Sequence, residues 1–175
     1  MKMYYRKAKA ISFDKSVRDK KKTVKYIVIH NTGNNGDTAK NNVDYFASWN
    51  DREAGAHFFI DQDGLIGRSI PMNNVAWAVG DKGKGRLKNV VTNYNSISIE
   101  LCDIVKKEPS EKMMLSVALL IRYITEYCPN ATMIVRHYDV TGKECPKAMI
   151  KDDPWEKFLS RLDGWNEYLD NVMGE

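Results

Sequence analysis

The stretch at residues 24–30, VKYIVIH, constrains the fold more than any other part of the chain. It is β-branched and nearly continuously apolar, the pattern of a strand buried on both faces. Such a strand needs layers above and below it, and the sequence supplies candidates. Residues 113–127 show helical apolar spacing, and a second amphipathic segment surrounds residues 155–169. A third helix is expected after Asp37, which can cap it, with Val43, Phe46, Ala47 and Trp49 as its apolar stripe. Residues 57–60 and 65–70 flank Asp61-Gln62-Asp63-Gly64, a hairpin signal. Residues 96–102 alternate, and residues 133–137 read as a further strand ending in a histidine. Strands mixed with helices, some of the strands joined by a hairpin, predict a single α/β domain. Its core is a central mixed β-sheet flanked by helices, with residues 1–23 as a solvated N-terminal arm and residues 24–175 as the domain proper.

Composition narrows the class further. A chain of 175 residues with 43% hydrophobic content is long enough for one real core. Lys and Arg outnumber Asp and Glu by 27 to 23, a mild excess that suits an anionic partner without demanding one. The three cysteines, Cys102, Cys128 and Cys145, are odd in number and widely spread, which argues against a disulfide scaffold and leaves a thiol for chemistry or metal. The basic start lacks the apolar run of a secretory signal, and no segment reads as membrane-spanning. Synthesis in the cytoplasm and no membrane insertion are therefore expected. The lysines are scattered and no nucleic-acid motif appears, so nucleic acid is not an expected partner. Residues 71–94 form a long loop with glycines and several lysines, a length typical of functional or mobile segments.

Only three histidines are present, His30, His57 and His137. Two close predicted strands and are followed by polar loops, which collects their side chains at one sheet edge, where α/β proteins build sites. Cys145 follows His137 by eight residues, on a loop short enough to fold back. Zinc takes imidazole nitrogen and thiolate sulfur, and three protein ligands plus one open position make a catalytic site. A structural site would take a fourth protein ligand, for which His57 is the one candidate.

Taken in order, IVIHNTG, the AHFFID–DG hairpin, NSISIEL and RHYDVTGKECP closely resemble the type 2 N-acetylmuramoyl-L-alanine amidases, whose fold is shared with the animal peptidoglycan recognition proteins. The resemblance runs from about residue 24 to about residue 162. It implies a zinc cleft at one sheet edge, in which His30, His137 and Cys145 bind Zn2+. It also implies that Glu100 acts beside the metal as general base and that Lys143 steadies the oxyanion. His57 is expected to line the cleft without binding metal, and Asn31 and Trp77 are expected as substrate contacts.

Two positions depart from the family pattern. Ala56 stands where one branch has a tyrosine, leaving Glu100 to carry the general-base role, and no loop histidine accompanies Trp77. The implied reaction is hydrolysis of the amide between N-acetylmuramic acid and L-alanine of bacterial peptidoglycan. The implied setting is a phage or prophage endolysin, a monomer acting on the wall after release. The alternative is a peptidoglycan-binding recognition module without activity; recognition proteins of this fold that lose activity lose the cysteine, which is present here.

From the residues alone, plainer roles remain open. Glu100 shares a polar strand face with Ser96 and Ser98 and could form an ion pair. Lys143 could be a solvated turn lysine, and His57 could bond backbone. Asp139 could orient His137 or cap its loop.

Overall fold

The computed structural model describes residues 2–80 and 82–174. Eight strands are present among them: β1 (Tyr4–Tyr5), β2 (Phe13–Asp14), β3 (Tyr26–Asn31), β4 (Phe58–Ile60), β5 (Ile66–Arg68), β6 (Val75–Ala76), β7 (Ser96–Leu101) and β8 (Met133–Arg136). The α-helices are α1 (Lys20–Thr23), α2 (Ala39–Ser48), α3 (Glu111–Tyr127), α4 (His137–Thr141) and α5 (Asp152–Met173). Six strands form one sheet in the order β1-β5-β4-β7-β3-β8, and β2 pairs with β6 separately. β4, β7, β3 and β8 run parallel, while the hairpin turns β5 antiparallel to β4. This is the mixed sheet expected from the strand pattern.

β3 lies between β7 and β8, and period-two alternation sends its side chains to two different layers. Ile27 and Ile29, with Ile97, Ile99 and Leu101 of β7, join the main core under α3 and α5. Full burial of each such side chain contributes roughly 1.5–3 kcal/mol. α3 starts at Ser110, whose hydroxyl accepts from the Met113 N–H at 3.1 Å, and it buries eight residues along one stripe. Val28 faces the other layer, where Val79, Val91, Val135 and Val140 gather around it. α2 covers the neighbouring part of that face with Ala39 and Val43 against Phe59.

Several expectations are corrected here. Thr38, not Asp37, caps α2, accepting from the Asn41 N–H at 3.1 Å. Asp37 instead accepts from the Asp103 N–H at 2.8 Å and from Asn42 Nδ2 at 2.7 Å, tying the loop after β3 to the loop after β7. Trp49 ends α2 and is exposed. The first 23 residues are not a free arm: β1 adds to the sheet beside β5, and β2 pairs with β6. Arg18 anchors the segment, its guanidinium donating to the carbonyls of Met72, Asn93, Tyr94 and Ser96. A charged stretch thus packs onto the domain because one cation satisfies four backbone acceptors. Among the described residues no helix is long and apolar enough to cross a membrane.

Candidate metal centre and cleft

His30 sits at the carboxyl end of β3 and is buried. β8 runs parallel to β3 with Arg136 opposite Ile29, so the next residue, His137, arrives beside His30. The two rings lie with centroids 4.4 Å apart at 45°. β8 stops at Arg136, one residue short of the expected strand, and His137 opens α4. The stop is built by Asp139, which accepts from the Arg136 backbone N–H at 3.0 Å and from its Nη2 at 2.8 Å. Of the two roles open to Asp139, capping is therefore the observed one. Arg136 is itself buried and donates through Nη1 to the carbonyls of Met149 and Ile150.

After α4 the chain turns at Gly142, whose φ of +77° suits glycine, and returns so that the Tyr138 N–H donates to the Cys145 carbonyl at 2.6 Å. Asn31 grips the returning loop at two points. Its N–H donates to Cys145 Sγ at 3.4 Å, and its Oδ1 accepts from the Lys147 N–H at 3.0 Å. Ligand atoms of His30, His137 and Cys145 consequently lie within 4.8 Å of one another.

The donor set fits a soft divalent cation. His30 Nε2 is buried without a hydrogen-bond partner, an expensive arrangement for a polar atom that a metal bond would relieve. Burial, then the neighbouring His137, hold the His30 pKa well below its ordinary value. Burial brings His137 down to about 4. Both rings are therefore neutral near pH 7, the form that binds metal. The His137 Nε2 lies 3.2 Å from the Val79 carbonyl, so that nitrogen donates and Nδ1 keeps the free lone pair. Burial, with the Glu100 charge behind it, pushes the Cys145 thiol up to about 12. A divalent ion at the site reverses that balance and favours thiolate.

Glu100 is the register partner of His30 on β7. Its Oε2 is buried with no hydrogen-bond partner, and burial, followed by the Asp37 charge, pushes its pKa up to about 8. It forms the floor of a cleft of about 540 Å³ whose walls include Thr32, Asn34, Asn41, Tyr45 and Arg52. Lys143 is exposed, and its charge lowers the pKa of both His30 and His137.

His57 does not line the cleft. It is 1% exposed, its Nδ1 accepts from the Ser98 N–H at 3.1 Å, and its Nε2 lies 3.2 Å from both Arg18 Nη2 and the Asn74 carbonyl. Every ring nitrogen is engaged in bracing β7 and the Arg18 anchor. Trp77 is half-buried against Tyr94, with ring centroids 6.5 Å apart, and is not among the residues lining the Glu100 cleft. The polar wall given by α2 was not foreseen. Asn41 and Tyr45 lie one turn apart on the same helix face, and that i, i+4 spacing is the signal that could have marked it.

Residues 20–148 match the family model described as N-acetylmuramoyl-L-alanine amidase. The amidase CwlL of Bacillus licheniformis is 33% identical over 160 residues, which cover 86% of this chain and 42% of the relative. The amidase XlyA of Bacillus subtilis (strain 168) is 29% identical, over 79% of this chain and 44% of the relative. The chain thus spans less than half the length of these curated relatives. Against solved structures it covers nearly the whole partner. The catalytic domain of XlyA aligns with a TM-score of 0.71 and 26% identity over 93% of this chain and 99% of that one. The PlyG catalytic domain aligns with a TM-score of 0.72 and 26% identity over 95% and 96%.

Proposed function

Because the chain belongs to the N-acetylmuramoyl-L-alanine amidase family, we propose that it is a zinc-dependent hydrolase of the amide joining the N-acetylmuramic acid lactyl group to L-alanine in bacterial peptidoglycan. The observation that carries this reading is the convergence of His30, His137 and Cys145 beside an unpartnered Glu100 carboxyl at the floor of an open cleft. Three protein ligands leave one coordination position open, as a catalytic zinc requires, and His57 is spent elsewhere and cannot close it.

Zinc bound there supplies a Lewis acid for the amide carbonyl and makes water a competent nucleophile near neutral pH. Glu100 Oε2 accepts the proton that the attacking water loses, then hands it to the leaving amine nitrogen of L-alanine. Its burial keeps that proton from bulk solvent. Burial, then the Asp37 charge, push its pKa up to about 8, and a dication bound beside it would favour the carboxylate form that accepts the proton. Lys143 places positive charge at the exposed rim of the site, where negative charge on the carbonyl oxygen would develop. Asn31 holds the Cys145 loop in place rather than binding substrate directly. The proposed setting is a phage or prophage lytic enzyme acting on the wall as a monomer.

The deciding experiment is digestion of purified peptidoglycan by the zinc-loaded protein, with mass analysis of the products. Stem peptides beginning at L-alanine, together with glycan carrying free lactyl carboxyls, are expected. A new terminus within the peptide, a new reducing sugar end, or tight binding without cleavage would each reject the amidase.

A further inference from the structure

Residues 82–88 read KGKGRLK, so Lys82, Lys84, Arg86 and Lys88 alternate with Gly83, Gly85 and Leu87. The alternation is structural. The cations are all exposed, while the residues between them turn toward α4. A Cβ on Gly83 would stand 2.5 Å from Thr141 Cα, and one on Gly85 would stand 2.3 Å from the Asp139 carbonyl oxygen. Backbone therefore lies directly on backbone, which no residue larger than glycine permits. The contact is stitched by the Lys84 N–H donating to Thr141 O at 3.0 Å and the Leu87 N–H donating to Asp139 O at 2.8 Å.

Charge balance in this rail is one-sided. Among the described residues, only Arg86 has a carboxylate within ion-pair distance, Asp139 at 3.3 Å, and that carboxylate already accepts from Arg136. Lys82 and Lys88 border a hollow of about 220 Å³ that also includes Tyr94, and Lys84 and Arg86 border a second of about 360 Å³ whose two carboxylates, Asp139 and Asp152, are both paired with Arg136. The helix that carries the rail begins at His137, whose ring bonds the Val79 carbonyl just ahead of it. The four cations are thus fixed beside the candidate metal centre.

We propose that this rail is a docking surface for an anionic phosphodiester polymer carried by the cell wall, separate from the cleft that takes the scissile amide. Exposed lysines bind a single phosphate weakly, because water and salt screen each pair. A row of them binds a repeating anion far better, since each neutralised phosphate releases a counterion. A phosphodiester strand attached to the glycan would bring the cleft to its amide, so the proposal rests on the wall-amidase reading. Nucleic acid shares the repeating phosphates, but the rail's two exposed aromatics, Tyr94 and Tyr138, border different hollows, and Tyr138 already carries the Arg136 guanidinium over its ring, so they form no continuous stacking platform for successive bases.

The test uses sedimentation of the zinc-loaded Glu100→Gln protein with purified walls, so binding is read without turnover. Walls that retain their phosphodiester polymers are compared with walls stripped of them by hydrofluoric acid. Several-fold tighter binding to the intact walls is expected, with a steep loss on added salt. Adding Lys82→Ala, Lys84→Ala and Lys88→Ala should erase that preference, lower the log–log salt slope by roughly 2, and leave binding to stripped walls unchanged. Lys84→Glu alone checks the direction with minimal disturbance. Equal binding to both walls by the parent, or an equal loss on both in the variant, overturns the proposal. Duplex DNA outcompeting poly(glycerol phosphate) at matched phosphate would overturn it too, by assigning the rail to nucleic acid. Polymer-dependent binding to walls that the active protein leaves uncut would reject the amidase reading and spare this one.

Discussion

His30 and Glu100 occupy matched positions on adjacent parallel strands, and both end with a buried polar atom that has no hydrogen-bond partner. A sheet register is among the stiffest spacers a fold provides, so the imidazole and the carboxyl are held side by side by backbone hydrogen bonds rather than by a loop. Two such unsatisfied atoms cost stability unless a ligand completes them. Their pairing, with Glu100 lining the cleft and His30 beside it on the next strand, is what a metal and an attacking water would complete.

Glu100→Gln separates holding the metal from using it. Gln is isosteric and cannot take a proton, so turnover on peptidoglycan should fall by about 10²–10⁴-fold. Zinc content should stay at one per chain, because the ligands are untouched. Elemental analysis beside a turbidity assay checks both halves, and undiminished turnover would remove Glu100 from the mechanism.

Metal removal should be costly twice over. Chelation is expected to abolish hydrolysis and to lower the melting temperature, because His30 Nε2 and its neighbours lose the bond that satisfies them. Cys145→Ala should weaken zinc binding by more than about tenfold. Zinc uptake should also release protons, since the Cys145 thiol, held at about 12 without metal, must ionise to bind. Calorimetry in buffers of different ionisation enthalpy reads that release, and proton-independent uptake would exclude the thiolate.

The pH dependence of stability has opposite signs at two buried groups. The folded pKa of His57, about 3, lies below its ordinary 6.5, so the unfolded chain binds more protons in between. The stability from neutral His57 is complete above about pH 6.5 and is lost as pH falls toward 3, on the order of a few kcal/mol. Glu100 is raised from 4.5 to about 8, so in the metal-free protein its contribution is complete below 4.5 and is lost as pH rises through 8. Urea unfolding of the metal-free protein should therefore show a stability maximum at mildly acidic pH. His30 and His137, also held low by burial, share the acid limb, so His57→Gln should make it shallower without removing it, and Glu100→Gln should flatten the alkaline one; limbs that persist unchanged in both variants would reject these assignments.

Much of the site was legible because its chemistry is local in sequence. β3 announces itself by an apolar run, and the histidine at its end must then sit at a sheet edge. The alternation of residues 96–101 places Glu100 on the face opposite Ile97 and Ile99. What stayed hidden depends on distant contacts. His57 looks like a cleft residue until Arg18, thirty-nine positions earlier, and the Ser98 N–H are seen to occupy its nitrogens. The first 23 residues look solvated because their charges outnumber their apolar groups, yet one guanidinium finds four carbonyls. Asp37 carries a cap residue's chemistry but is spent on a loop-to-loop bond to Asp103.

Asp139 offers the sharpest test of how the metal centre is supported. Its carboxylate accepts three bonds from Arg136, through the backbone N–H, Nε and Nη2, and both side chains are almost fully buried. Removing Asp139 leaves the buried Arg136 guanidinium with only the exposed Asp152, at 3.1 Å, as a charged partner, and breaking such a buried pair costs up to about 3–5 kcal/mol. Asp139→Ala should cost about 2–4 kcal/mol in denaturant unfolding, the remaining contacts to Asp152 and the Met149 and Ile150 carbonyls sparing the rest. It should also loosen zinc by about 10–100-fold, because the pair sets the turn from which His137 reaches the site. Replacing both members by apolar residues, Arg136→Met with Asp139→Leu, should recover much of the stability, since no buried charge then remains. It should not recover the zinc affinity, because the cap that aims His137 is still missing. Restored stability with restored zinc binding would mean that the pair only fills space, and stability unchanged in Asp139→Ala would mean that it does not hold α4 at all.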